Sequence, residues 1–146
     1  MRKAFPIIFM VLLCISRVAT AEDNHVALFK SVTGDVKVLR GKGVIVPVPG
    51  NQLLRTDVVV TGLRSSSGIV FVDATQLTLD ASSEIEISRY VFQPEVSKYD
   101  FSLFLKKGTA IYSSGKLGKL APESVNLNTP RATVGVRGTR FIIHAG

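Results

Sequence analysis

Apolar side chains in this chain recur at every second position, and three successive segments do so in one phase. Ile69-Val70-Phe71-Val72, Leu77-Thr78-Leu79 and Ile85-Glu86-Ile87 place Ile69, Leu77 and Ile85 eight residues apart, and likewise Phe71, Leu79 and Ile87. Alternation with period two puts such residues on one face of an extended strand, so these six predict the inner face of a sheet. Gln76, Thr78, Asp80, Glu84, Glu86 and Ser88 fall on the opposite, wet face. The connectors Asp73-Ala74-Thr75 and Asp80-Ala81-Ser82-Ser83 carry turn chemistry. The pattern predicts an all-β fold of short strands, either a compact sandwich or roll or a small β-solenoid.

Further strands follow from the same reading. They are expected over 26–29, 36–39, 44–48, 58–60, 101–105, 109–112, 125–127 and 141–143. Lys106-Lys107-Gly108 reads as a hairpin tip between two of them. Residues 113–124, with Gly115, Gly118 and Pro122, read as a long loop, and 94–99 as a weak helical candidate at most. With 146 residues, 46% of them hydrophobic, the chain suits one small domain.

The first 21 residues belong to a different grammar. Arg2 and Lys3 precede an uncharged apolar run from Ala4 to Ser16, and Ala19-Thr20-Ala21 offers a small-x-small cleavage site before Glu22. That order predicts a cleavable signal peptide over 1–21 and a mature domain over 22–146. Arg17 ends the run short of the roughly 20 residues a membrane helix requires, so no transmembrane segment is expected in the mature chain. Leu13 before Cys14 is too large for lipoprotein processing. Removal of Cys14 leaves no cysteine, and export without disulfides suits a bacterial periplasm or secretion.

Charge is unevenly placed. From residue 101 to 146 there are seven cations (Lys106, Lys107, Lys116, Lys119, Arg131, Arg137 and Arg140) against Glu123 alone, whereas residues 22–100 are slightly acidic. Lys106, Lys107, Lys116 and Lys119 are therefore candidates for contact with an anionic envelope polymer or an envelope protein. Export argues against nucleic acid as the partner.

Gly34-Asp35-Val36, Asp57, Thr61-Gly62, Ser65-Ser66-Ser67 and Val70-Phe71-Val72-Asp73 resemble the opening of a FecR-type periplasmic domain. The stretch from Asn128-Thr129-Pro130-Arg131-Ala132 to Gly135-Val136-Arg137-Gly138-Thr139 resembles that family's signature, in which a TP-x-A segment leads into a G-[VI]-R-G-T turn. The likeness runs from about Gly34 to Phe141. It implies an all-β extracytoplasmic sensing or binding domain, without catalytic residues or cofactor. The family's founding regulators relay an outer-membrane signal of iron-citrate uptake to a cytoplasmic sigma factor. A signal peptide in place of a cytoplasmic segment and membrane helix makes this chain a stand-alone exported form.

The motif residues Asp57, Gly62, Asp73, Pro130, Gly135, Arg137, Gly138 and Thr139 have structural roles as their first expectation. Gly135 and Gly138 bracket a bend, and Pro130 suits a sheet edge or the start of a strand. The planar Arg137 guanidinium suits bidentate pairing with a carboxylate such as Asp57 or Asp73, the alternative being a ligand anchor.

Catalytic patterns are sparse. His25 and His144 have no motif partner, no H-E-x-x-H occurs, and a mature chain without cysteine has no thiolate metal site or nucleophile. Glu84 and Glu86 share a face, but the solvated one. The leading expectation is a non-enzymatic binding or signalling module. The alternatives are an envelope assembly protein pairing through exposed strand edges and, last, a small envelope hydrolase.

Overall fold

The computed structural model describes residues 24–136 and 138–146. Their strands, in chain order, are β1 (Ala27–Thr33), β2 (Val36–Arg40), β3 (Gly43–Ile45), β4 (Gln52–Leu53), β5 (Val58–Thr61), β6 (Ser66–Phe71) and β7 (Gln76–Leu79). They continue with β8 (Glu84–Gln93), β9 (Lys98–Ser113), the short helix α1 (Lys116–Leu120), β10 (Val125–Asn128), β11 (Thr133–Gly135) and β12 (Arg140–Ala145). The predicted inner face is the core: Ile69, Phe71, Leu77, Leu79, Ile85 and Ile87 are all buried, as is every second residue of β6 and β7. The remaining choice falls to the roll. Ile69 lies opposite Leu77 and Ser67 opposite Leu79 in an antiparallel ladder, so these segments are not parallel solenoid rungs.

Everything is organised on β9. The sequence predicted a hairpin at Lys106-Lys107-Gly108; the structure instead has one uninterrupted 16-residue strand. One edge of β9 carries β8 along its first part (Gln93 opposite Lys98 to Glu84 opposite Lys107) and β7 along its second (Leu79 opposite Ala110, Gln76 opposite Ser113). Outward from these run two separate series, β8-β5-β2-β3 and β7-β6-β1-β4. The sheet therefore divides at the β7–β8 junction and curls into a half-barrel around one core, with β9 common to both parts.

Side chains seal the division. Buried Thr61 donates from its hydroxyl to the Asp80 carbonyl (2.6 Å) and accepts the Ser83 N–H (2.9 Å). The Ser83 hydroxyl accepts the Thr109 N–H (2.9 Å), and Asp80 N–H donates to the Thr109 carbonyl (3.0 Å). Gly108 sits against this knot with φ of +93°, a conformation that a Cβ strains. A glycine that reads as a turn signal is here a bulge in a long strand.

Two further segments differ from expectation. Within 113–124, Lys116–Leu120 forms α1 and Pro122–Ser124 a 3-10 turn, with Leu117 and Ala121 buried. The 94–99 segment is a 3-10 turn over Pro94–Val96, linking β8 to β9.

The aromatic part of the core lies near α1. Phe71 stacks on Tyr90 (5.3 Å between ring centres), and Phe101 meets both rings edge-on at about 5 Å. Tyr112 stacks on Phe141 at 4.9 Å, which fastens β12 to the same cluster.

Candidate functional site

The two motif aspartates are fully buried, and each is surrounded by donors from the protein itself. Asp57 follows Thr56, which has φ of +72°, at the start of β5. Its carboxylate accepts Arg40 Nε (2.9 Å) and Nη2 (2.8 Å) in a bidentate pair, together with the Leu54 N–H (2.8 Å). Those hydrogen bonds raise the Arg40 pKa, opposed by partial burial. Arg40 also donates to the Gln52 carbonyl, so the pair ties β2, β4 and β5 together. Sequence reasoning assigned such a fork to Arg137; that residue lies outside the described residues, whereas Arg40 was overlooked.

Asp73 occupies the β6–β7 turn. It accepts the Tyr90 hydroxyl (2.8 Å), the Thr75 hydroxyl (2.7 Å) and the Leu117 N–H (3.0 Å). Its carbonyl accepts the Lys116 N–H, and the Thr75 hydroxyl accepts from Gly115, so the first turn of α1 is seated on this one turn. Burial raises the Tyr90 pKa well above the usual phenol range, and the Asp73 charge adds to it. Burial also raises that of Tyr112.

The sign of these shifts fixes an alkaline limit. A phenol whose pKa is raised on folding contributes stability that is intact below its unfolded pKa of about 10 and diminishes as pH rises above it. Unfolding free energy is therefore expected to fall above about pH 10, with Tyr90 and Tyr112 ionising only as the domain opens. Ultraviolet phenolate absorbance against far-ultraviolet circular dichroism checks this; both tyrosines ionising in a still-folded domain would contradict it.

The other motif positions are placed as follows. Gly62 caps β5, donating its N–H to the Asp35 carbonyl (2.8 Å). Pro130, expected at a sheet edge or strand start, lies in the exposed turn Thr129–Ala132 that joins β10 to β11, where its fixed φ suits the second position. Thr129 closes that turn, donating its N–H to the Ala132 carbonyl and accepting the Ala132 N–H at its hydroxyl (3.1 Å). Gly138 has φ of +103° between β11 and β12, and the carbonyls of Gly138 and Thr139 accept from Ser114. Gly135 ends β11, exposed.

The four lysines are divided between two elements. Lys106 and Lys107 lie within β9, not at a hairpin tip, and Lys116 and Lys119 lie on α1, beyond the far end of that strand. Ser113 lies seven residue steps along the strand from Lys106, about 23 Å of extended chain. Lys106 Nζ is 3.8 Å from Glu84, a long contact on a largely exposed side chain.

The second edge of β9 is interrupted. β10 runs parallel to it up to Asn128 opposite Phe104, and β12 joins antiparallel only from Ala145 opposite Gly108. Positions 105–107 therefore have no strand neighbour on that side among the described residues. At this fork lies a crevice of about 470 Å³, lined by Lys106, the Thr129–Ala132 turn and the end of β12 at His144 and Ala145. His144 Nδ1 is 2.9 Å from the Thr109 hydroxyl, which fixes the ring at the crevice wall.

Comparison with protein-family models finds FecR, described as FecR protein, over residues 57–146. The chain belongs to the FecR family. No curated protein and no solved structure matches it. The FecR match begins at Asp57, so it includes both buried aspartates and the whole signature turn, while Gly34-Asp35-Val36 precede it. FecR is a family of signalling-related domains associated with the bacterial envelope. No helix among the described residues is long and apolar enough to cross a membrane. In this FecR domain, Arg40 and Tyr90 were missed from sequence because each acts on a carboxylate from another strand or turn, with no local motif to mark it, whereas Thr75, two residues from Asp73, is marked only as turn chemistry.

Proposed function

We propose that this FecR domain is a non-enzymatic, extracytoplasmic binding module that transmits or buffers an envelope signal by contacting another protein. The observation that carries the reading is the engagement of its motif carboxylates. Asp57 and Asp73 are wholly surrounded by donors of the fold itself, so they act as fasteners for the frame that presents the basic C-terminal third. Processing between Ala21 and Glu22 delivers the domain to the periplasm.

The second reading, assembly through strand edges, is favoured by one feature. β3 is an edge strand, and Val44, Val46 and Val48 on and after it are 61%, 74% and 58% exposed.

Photo-crosslinking in whole cells from positions on β9 and on the Thr129–Ala132 turn separates these readings. A single envelope protein of different sequence is the expected product, with the recovered domain beginning at Glu22 on N-terminal sequencing. Crosslinks only between copies of the chain would favour assembly. Hydrolysis of purified envelope polymers by the isolated domain would overturn both.

A further inference from the structure

The outward face of the β3-β2-β5-β8-β9 series carries apolar side chains where a solvated sheet face is polar. Buried Val38, Val59, Ile85 and Leu105 turn their neighbours outward, so Lys37 and Leu39, Val58 and Val60, Glu84 and Glu86, and Phe104 and Lys106 share that face. Pairing sets them in two rows. Val44, Leu39, Val58, Glu86 and Phe104 follow one another across five strands, and Lys37, Val60 and Glu84 do so two residues along. Val44 is largely exposed, and Leu39, Val58, Val60 and Phe104 are half-buried. The run Val58-Val59-Val60 is apolar on both faces, the pattern of a strand covered on both. By contrast, the outward positions of β6 and β7 (Ser66, Gly68, Val70, Gln76 and Thr78) include one branched apolar side chain.

A crevice of about 290 Å³ opens in this face between Val58, Glu84, Glu86, Phe104 and Lys106. The side chains of half-buried Glu86 and exposed Lys37 have no hydrogen bond or ion pair to a described residue. Glu84 has only its 3.8 Å contact with Lys106.

We infer that this face pairs with the same face of a second copy of the chain, about a two-fold axis running along β5. Such an axis places β2 of one copy over β8 of the other, and β3 over β9. Lys37 of each copy then lies over Glu84 of the other, and Val44 over Phe104. Leu39 enters the crevice between Val58 and Phe104. Val58 and Val60, on the axis, meet their own counterparts. Sheets stacked face to face lie about 10 Å apart with strand directions within about 30°. The charges select this occupant. An acidic surface would meet Glu84 and Glu86, and a basic one Lys37 and Lys106. A second copy presents the opposite order, with cation over carboxylate and apolar over apolar. The pairing leaves the outer edge of β3 unused, so it is separate from assembly through strand edges. It goes beyond the reading of the chain as a binding module and does not rest on it.

Sedimentation of the purified chain from about 1 µM to about 500 µM is the test, a range that spans weak and moderate dimers. The mass is expected to rise from one chain to two and then stop, because a two-fold pair is closed. On dilution, amide resonances at 37–39, 58–60, 84–86 and 104–106 should move and those at 76–79 should not. Lys37→Glu puts carboxylate over carboxylate twice in each dimer, and should raise the dissociation constant by at least about tenfold. Glu84→Gln, which adds no charge beside Lys106, should weaken pairing less. The double variant Lys37→Glu, Glu84→Lys restores opposite charges across the axis and should recover most of the affinity. Lys30→Glu, outward on β1, should leave it unchanged. Circular dichroism checks that each variant is folded.

A mass that stays at one chain, a mass that climbs past two, an unaffected Lys37→Glu variant, or a folded double variant without recovery would each overturn the pairing. So would photo-crosslinking from position 60 in cells solely to a protein of other sequence, or to residues 1–21 of its own chain. This inference and the binding-module reading fail separately. A foreign partner crosslinked from β9 and the Thr129–Ala132 turn, without self-association, leaves the module and removes the pair. Self-association as described without any such partner does the reverse.

Discussion

Gly108→Ala is expected to remove about 3–5 kcal/mol of stability, much of what a domain of this size possesses. Two costs act together. The backbone at Gly108 has φ of +93°, and an alanine held there is strained by about 1–3 kcal/mol. Its Cβ would also fall onto the Cα, Cβ and hydroxyl of Ser83, at the knot where β7 gives way to β8 along β9. The overlap is with main chain as well as side chain, so rotation of one group does not relieve it, and overpacking adds about 1–3 kcal/mol. The denaturant midpoint reads the sum. Ser83→Gly should cost only about 1 kcal/mol for its hydrogen bond to Thr109 N–H. Placed in that background, Gly108→Ala should lose less than in wild type. A midpoint unchanged in Gly108→Ala would mean that Ser83 does not pack there.

Asp73→Ala should cost about 3–5 kcal/mol, because it deprives four buried donors of their acceptor at one stroke. The Tyr90 hydroxyl, the Thr75 hydroxyl and N–H, and the Leu117 N–H all converge on that carboxylate. They come from β8, from the turn before β7, and from α1, so the loss is felt in three places. Tyr90→Phe, which removes one of those donors, should cost about 1–2 kcal/mol. Asp73→Asn should fall between the two, since its amide nitrogen would face a donor. Amide exchange at Leu117 provides a local readout: it should accelerate strongly in Asp73→Ala and little in Tyr90→Phe. Protection of Leu117 left intact in Asp73→Ala would show that α1 is held by the burial of Leu117 alone.

What the sequence made legible is whatever period two controls. Ile69, Phe71, Leu77, Leu79, Ile85 and Ile87 declare the core face because alternation is a property of neighbours, and burial follows it residue for residue. Gly108 was misread for a physical reason. A glycine after two lysines is equally suited to a hairpin and to a bulge, and the choice is made by Ser83 and Thr61, far away in the chain. The partner of Asp57 was out of reach for the same cause: several arginines carry an identical fork, and only the pairing of β2 with β5 brings Arg40 to it. The fork crevice had no sequence signature at all. It arises from where β10 stops and β12 begins, while Lys106, Arg131 and His144 are widely spaced along the chain.

Because one strand serves both series, the order in which the chain is synthesised matters. β1 to β8 are made before β9, and neither of the inner strands β7 and β8 has its second neighbour until residues 98–113 follow. Up to that point Leu77, Leu79, Ile85 and Ile87, all buried in the finished domain, lack their neighbours on β9. Pairings this distant in sequence form slowly, and half-covered strands are a substrate for aggregation and proteolysis. The vulnerable interval closes only with β12, whose Phe141 stacks on Tyr112. A domain built this way gains its cover all at once, near the end of its own sequence, so shortening the chain before β9 removes a neighbour from both β7 and β8 together.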